Sequence, residues 1–201
     1  MQFEPGNLYH IYNRGNNSRP IFFTYDNYLF FLKKIKMYIL PFSDVLAWCL
    51  MPNHFHLMVY INNTKIFLSE QVTESHQFTR TRSINDSISI LLRSYTRAVQ
   101  KQENITGSLF QHRTKAACLT EIDGITPAWF QTAFNTIINI PEPEKEYPQV
   151  CFNYIHMNPV DAGLVKKPEE WAFSSYRDHA GLRDGKLINR ERVKEFGLVL
   201  H

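Results

Sequence analysis

"MPNHFHLMVY", residues 51–60, sets His54 and His56 one residue apart in an otherwise apolar run, directly after Pro52-Asn53. Side chains alternate along a strand, so an extended 54–60 points both imidazoles to one face and Phe55 to the other. The preceding "VLAWCLM", residues 45–51, also reads as a strand, with Pro52-Asn53 as the turn that folds one back on the other. So short a connection leaves no room for the crossover helix that parallel neighbours require, which disfavours a doubly wound parallel sheet.

Upstream, "LYHIYNRG" (8–15) reads as a strand that enters a turn at Gly15. From Asp26 as N-cap, Tyr28, Phe31, Leu32, Ile35 and Ile39 recur at helical spacing up to Pro41, and Lys33, Lys34 and Lys36 fall largely outside that stripe. Downstream, residues 62–83 read as irregular apart from a short helix over "IFLSEQV" (66–72). A second amphipathic helix runs from Asn85 or Asp86 to about Lys101, with Ile88, Leu91, Leu92, Tyr95 and Val99 inward and Arg93 and Arg97 outward. A turn at Gly107 precedes another strand. Thr126-Pro127 opens a helix through Ile140, "PEPEKEYP" (141–148) forms a linker, and Pro148 starts a helix over "QVCFNYIHMN" that Pro159 stops. Trp171, Phe173, Tyr176 and Phe196 give the tail a packed character. The order is that of an α+β fold, helices on an antiparallel sheet, in one domain over residues 1–201.

Composition agrees with an ordinary globular chain: 44% hydrophobic and 20% charged over 201 residues, with no repeat and no low-complexity tract. The N-terminus lacks a basic stretch leading into an apolar core, and no run of about 18 apolar residues occurs, so a soluble cytoplasmic protein without membrane contact is expected. Cys49, Cys118 and Cys151 are odd in number, far apart and set among apolar residues, as reduced buried thiols would be. The net charge of +3 is unevenly spread: residues 76–118 hold seven Lys/Arg against Asp86 and Glu103. Such a segment suits either an acidic polymer or a solvated helix face.

Two imidazoles roughly 7 Å apart on one strand face can converge on a cation, or can serve as a turn cap and a carbonyl partner. An oxygen donor near them would favour the cation. In "NYIHMNP" (153–159) Tyr154 and Asn158 are four apart and share a helical face, so a phenol and an amide oxygen project together. Asn158 could then join His54 and His56 as a ligand, with Tyr154 beside them as a nucleophile. Two neutral nitrogens and an amide oxygen bring no negative charge, which points to Mg²⁺ or Mn²⁺ held weakly and completed by a phosphate. A zinc hydrolase is a further reading, but neither H-E-x-x-H nor C-x-x-C accompanies the pair. His112 and His156 read as rim or scaffold residues.

"LYHIYNRGNNSRPIF", "AWCLMPNHFHLMVY", "SYTRAVQKQENITGSLFQHRTKA" and "YIHMNPVDAGLVKKPEEWAFSSY" together resemble the IS200-like single-tyrosine transposases, and among them the REP-associated tyrosine transposases. These blocks span most of residues 8–176 in family order. The resemblance implies a ferredoxin-like (RRM-like) fold, a His-hydrophobe-His metal motif at His54, Phe55 and His56, a third ligand at Asn158 and a catalytic Tyr154. It further implies an endonuclease and strand transferase for single-stranded DNA carrying a hairpin or palindromic element, working through a 5′-phosphotyrosine. Arg14, Arg19, Arg113 and Lys115 fall in segments that it places around the substrate, with Arg93 and Arg97 as further DNA contacts. Tyr9, Tyr12 and Phe110 lie near those basic residues and could stack bases if exposed. Residues 119–148 are longer and more apolar than the short linker expected before the tyrosine helix. Monomer is favoured slightly over homodimer, and a module that binds nucleic-acid hairpins without cutting them is the alternative.

Overall fold

The computed structural model of the protein describes residues 1–72, 77–121, 129–131, 136–138 and 143–200. Its main sheet grows from the hairpin of β2 (Ser43–Met51) and β3 (His54–Ile61), which pair antiparallel across the Pro52-Asn53 turn. Strand β1 (Leu8–Arg14) adds to the other side of β3, and the short β6 (Lys115–Cys118) to the far side of β1, giving the order β2-β3-β1-β6 with every pair antiparallel.

The period of two along these strands decides what lies on each face. Tyr9, Ile11, Phe55, Leu57 and Val59 point one way, against Phe31 and Ile35 of α1 (Tyr25–Tyr38) and Ile88, Leu91, Tyr95 and Val99 of α2 (Ile84–Glu103). Each such fully buried side chain contributes about 1.5–3 kcal/mol. Leu8, Ala47, Cys49 and Met58 point the other way, against Cys151, Phe152 and Ile155 of α3 (Pro143–Asp161). A bulge between Val45 and Ala47 resets the alternation of β2, so Leu46 and Ala47 both join the α3 side and Trp48 returns to the other. The tail covers the free edge of β2: the Ser175 amide donates to Trp48 O (2.9 Å), Leu50 N–H to Phe173 O (2.9 Å) and the Trp171 indole to Leu50 O (3.1 Å).

The expected β1, β2, β3, α1 and α2 are all present, with small shifts at the ends. Helix α1 is capped by Thr24, with Asn27 reaching back to the amides of Phe23 and Thr24 (3.0 and 3.2 Å), and Asp26 sits in its first turn. Helix α2 is capped by Ser83, reciprocally with Asp86.

Three expectations are corrected. Residues 65–72 and 77–83 are not irregular with a short helix: β4 (Lys65–Val72) and β5 (Gln77–Ser83) pair antiparallel as a separate two-stranded sheet, and residues 73–76 lie outside the described ones. The helix expected over 126–140 is replaced, where residues are described, by the paired β7 (Trp129–Gln131) and β8 (Thr136–Ile138), whose aromatic and β-branched residues suit strands. Its remaining residues, 126–128, 132–135 and 139–140, lie outside the described ones. Helix α3 begins at Pro143, inside the expected linker, and runs through Pro148 and Pro159 to Asp161. It ends in a Schellman motif, with Gly163 at φ +68°, its amide on Val160 O (2.8 Å) and that of Leu164 on Pro159 O (2.9 Å). Helices α4 (Tyr176–His179) and α5 (Arg190–Glu195) complete the tail. All three cysteines are free; Cys49 and Cys151 are buried and Cys118 is half-buried. Among the described residues no helix is long and apolar enough to cross a membrane.

Candidate active site

The face of the sheet under α3 is apolar at one end and polar at the other, where the end of β1 meets the starts of β3 and β6. Register sets Arg14 opposite His54 and Tyr12 opposite His56, so His10 is the diagonal neighbour of His56. Helix α3 crosses above them with Tyr154 and Asn158 one turn apart. The Tyr154 ring stands edge-on to His56, centroids 5.3 Å apart, and to His10 at 6.1 Å; the His54 and His56 rings are 4.9 Å apart. Asn158 Oδ1 lies 3.0 Å from His54 Nε2. All of these but Asn158 line a cavity of about 610 Å³, whose wall also carries Tyr12, Arg14, Gln111, Arg113 and Lys115. The Lys115 ammonium sits 5.7 Å from the centre of the Tyr12 ring.

Burial sets the charge state of the site. It lowers His54, an effect strengthened by the Arg14 charge and partly offset by the contact with Asn158. Burial pushes His56 well down, helped by its neighbours His10, His54 and Arg14, and pushes His10 to about 3. All three rings are therefore neutral at neutral pH. Burial raises Tyr154, with Asn158 and Arg14 working against it, so the phenol begins protonated.

Neutral rings make the donor pattern legible. Asn53 Nδ2 donates to Ser18 O (3.2 Å), which turns its Oδ1 to His54 Nδ1 at 2.6 Å. The proton of His54 is thus on Nδ1, and its Nε2 presents a bare lone pair to Asn158 Oδ1, itself an acceptor. Two lone pairs 3.0 Å apart repel unless the amide turns over to donate or a cation is shared between them. Donors about 2.1 Å from an octahedral Mg²⁺ stand about 3 Å apart along an edge, so the spacing fits such an ion. His56 Nε2 is buried with no partner among the described residues, a further nitrogen on the same patch. Among the described residues no group of three or more His, Cys, Asp or Glu side chains is arranged to hold a metal, and the oxygen that stands beside His54 Nε2 is that of the Asn158 amide.

Of the residues singled out in the sequence, His54, His56, Tyr154 and Asn158 are brought together, and Arg14, Arg113 and Lys115 stand on the cavity wall. Arg19 is not brought there: its guanidinium donates to Ser108 O and ties the 3₁₀ turn of Asn16–Ser18 to the loop before β6. Arg93 and Arg97 lie on the exposed side of α2, in the layer opposite the cavity. Tyr9 and Phe110 are core residues and only Tyr12 of the three aromatics reaches the cavity. His156 is buried with Nε2 2.8 Å from Ser175 Oγ, a scaffold contact, and His112 is exposed in the loop before β6. Sequence reasoning missed His10 and Asn53. His10 shares the alternation face of Tyr12 in "LYHIYNRG", and that was the available signal.

No family model matches the sequence, and no curated protein matches it. Among solved structures it is similar to a REP-associated tyrosine transposase bound to a REP hairpin, with 16% identity, a TM-score of 0.52, and coverage of 94% of this chain and 95% of that one. The chain shares that transposase's fold. The likeness extends over nearly the whole length of both chains, the α+β arrangement with its antiparallel sheet included.

Proposed function

We propose that the protein is a single-tyrosine DNA endonuclease and strand transferase of the transposase type, acting on single-stranded DNA beside a hairpin or palindromic element. The observation that carries this reading is the meeting of Tyr154 with His56, and of Asn158 with a bare His54 nitrogen, on a cavity walled by Arg14, Arg113 and Lys115. The fold shared with a transposase that binds a REP hairpin supports the class of substrate.

His54, His56 and Asn158 would hold Mg²⁺ or Mn²⁺, which supplies neutralisation of a phosphate oxygen during attack. Arg14, Arg113 and Lys115 bind the backbone on either side and hold the scissile phosphate beneath α3. Tyr154 Oη attacks phosphorus, the bond to the 3′ oxygen breaks, and the phenolic proton leaves by way of water to the departing 3′-hydroxyl. The product is a 5′-phosphotyrosine, as the resemblance implies, and a 3′-hydroxyl can reverse the step without nucleotide hydrolysis. Asn158 and Arg14 both ease the loss of the proton from Tyr154 against the opposing effect of burial.

A labelled hairpin-bearing single strand incubated with Mn²⁺ is expected to give a protein-DNA adduct that survives denaturation and is abolished by Tyr154→Phe. An equal adduct from the variant overturns the assignment. Binding without any adduct, indifferent to divalent ions and to His54→Ala with His56→Ala, would instead establish a hairpin-binding module.

A further inference from the structure

The two imidazoles of the hairpin are held in different ways. His54 is fixed by its chain neighbour: Asn53, anchored on Ser18 O, accepts a hydrogen bond from His54 Nδ1–H and leaves Nε2 bare. Among the described residues His56 has no carboxylate, amide or carbonyl at its Nδ1. Its partner is a second imidazole, His10 Nε2, at 2.8 Å and on the neighbouring strand. A contact of that length between two neutral rings holds one proton, and where it sits decides the chemistry of His56.

If His10 donated, His56 would carry its proton on Nε2, as a buried N–H without an acceptor. Leaving such a donor unpaired costs about 1–3 kcal/mol. If His56 donates from Nδ1, its Nε2 is a free lone pair and His10 carries its own proton on Nδ1. That nitrogen is not one of the buried atoms without a partner, and His10 lines the cavity, so no donor is orphaned. The His10 ring is also stacked on His56 (5.0 Å, 26° between planes) and on Tyr12 (4.7 Å, 26°), which restricts its rotation and keeps Nε2 aimed.

We infer that His10 is a positioning residue that accepts a hydrogen bond from His56 Nδ1–H and so reserves His56 Nε2 for a divalent cation. It does for His56 what Asn53 does for His54, although it arrives from β1 through strand register. This inference deepens the proposed function and rests on it for the identity of the ligand. Outer partners of this kind typically govern metal affinity by about 10- to 100-fold.

The test has one arm that needs no variant. Imidazole ¹⁵N spectra of the metal-free full-length protein are expected to show His56 protonated on Nδ1; a His56 protonated on Nε2 overturns the inference. In the second arm Mn²⁺ affinity is read by electron paramagnetic resonance titration. His10→Phe, which keeps a flat ring without nitrogens, is expected to weaken Mn²⁺ by about 10- to 100-fold. His10→Gln, which returns an acceptor near the same place, is expected to recover most of that loss. Equal affinity for wild type and His10→Phe overturns the role of His10. A wild-type chain that takes up no Mn²⁺ yet shows the Nδ1 tautomer breaks the cation reading of the cavity while supporting the tautomer assignment, so the two failures are told apart.

Discussion

The two faces of one sheet are built from alternate residues of the same strands and have opposite characters. Toward α1 and α2, β1 and β3 send Tyr9, Ile11, Phe55, Leu57 and Val59 into a continuous apolar core. Toward α3 the intervening residues are Leu8 and Met58 at one end and His10, Tyr12, His54 and His56 at the other. The first face can hold the fold while the second gathers three imidazoles and a phenol, with His56 Nε2 buried and unpaired among the described residues, an arrangement that a protein selected for stability alone would remove.

This division can be broken most directly at neighbouring positions. Phe55→Ala should cost about 3–5 kcal/mol in denaturant unfolding. Asn158→Ala should cost much less stability and should slow adduct formation by about 10- to 100-fold, as loss of a ligand or its support does. If Asn158→Ala left the adduct rate unchanged, the polar end of the α3 face would be scaffold like the other.

Acid sharpens the contrast further. In the fold His10, His54 and His56 are depressed by burial, so an unfolded chain, whose histidines titrate near ~6.5, binds more protons than the native one below that pH. Their contribution is complete above about pH 6.5 and is lost as pH falls, for His10 down to about 3. Urea midpoints should therefore drop as pH is lowered through this window, and less steeply in His10→Phe; equal slopes would contradict the buried neutral assignment. The smallest effect concerns phosphate contacts. Lys115→Ala should reduce the slope of log affinity against log salt by about 0.7 for a single strand, and Arg97→Ala, in the opposite layer, should leave it unchanged.

What the sequence disclosed follows the pattern of burial. Helices α1 and α2 were legible because each buries one face and so shows its period, whereas β2 and β3, buried on both faces, were legible as two continuous apolar runs around the Pro52-Asn53 turn. The pair of β4 and β5 was not: adjacent Phe67 and Leu68 are 60% and 39% exposed, so no alternation marks the segment as extended. In α3 the local signal of Pro148 and Pro159 is outweighed by the burial of Phe152 and Ile155, at 1% and 0% exposure. Tyr154, Asn158, His54 and His56 were readable as two pairs because each pair shares one element. His10 escaped because its meeting with His56 depends on which residues of β1 and β3 face each other, and that register is a property of the assembled sheet.

Tyr154 and Asn158 ride on one rigid rod, closed off by Gly163 two residues past the end of α3. A movement of this helix that lifts the phenol from the imidazoles therefore lifts the amide as well. In the proposed reaction this gears nucleophile and cation ligand together, so that a shift of the helix backbone that parks one disarms both.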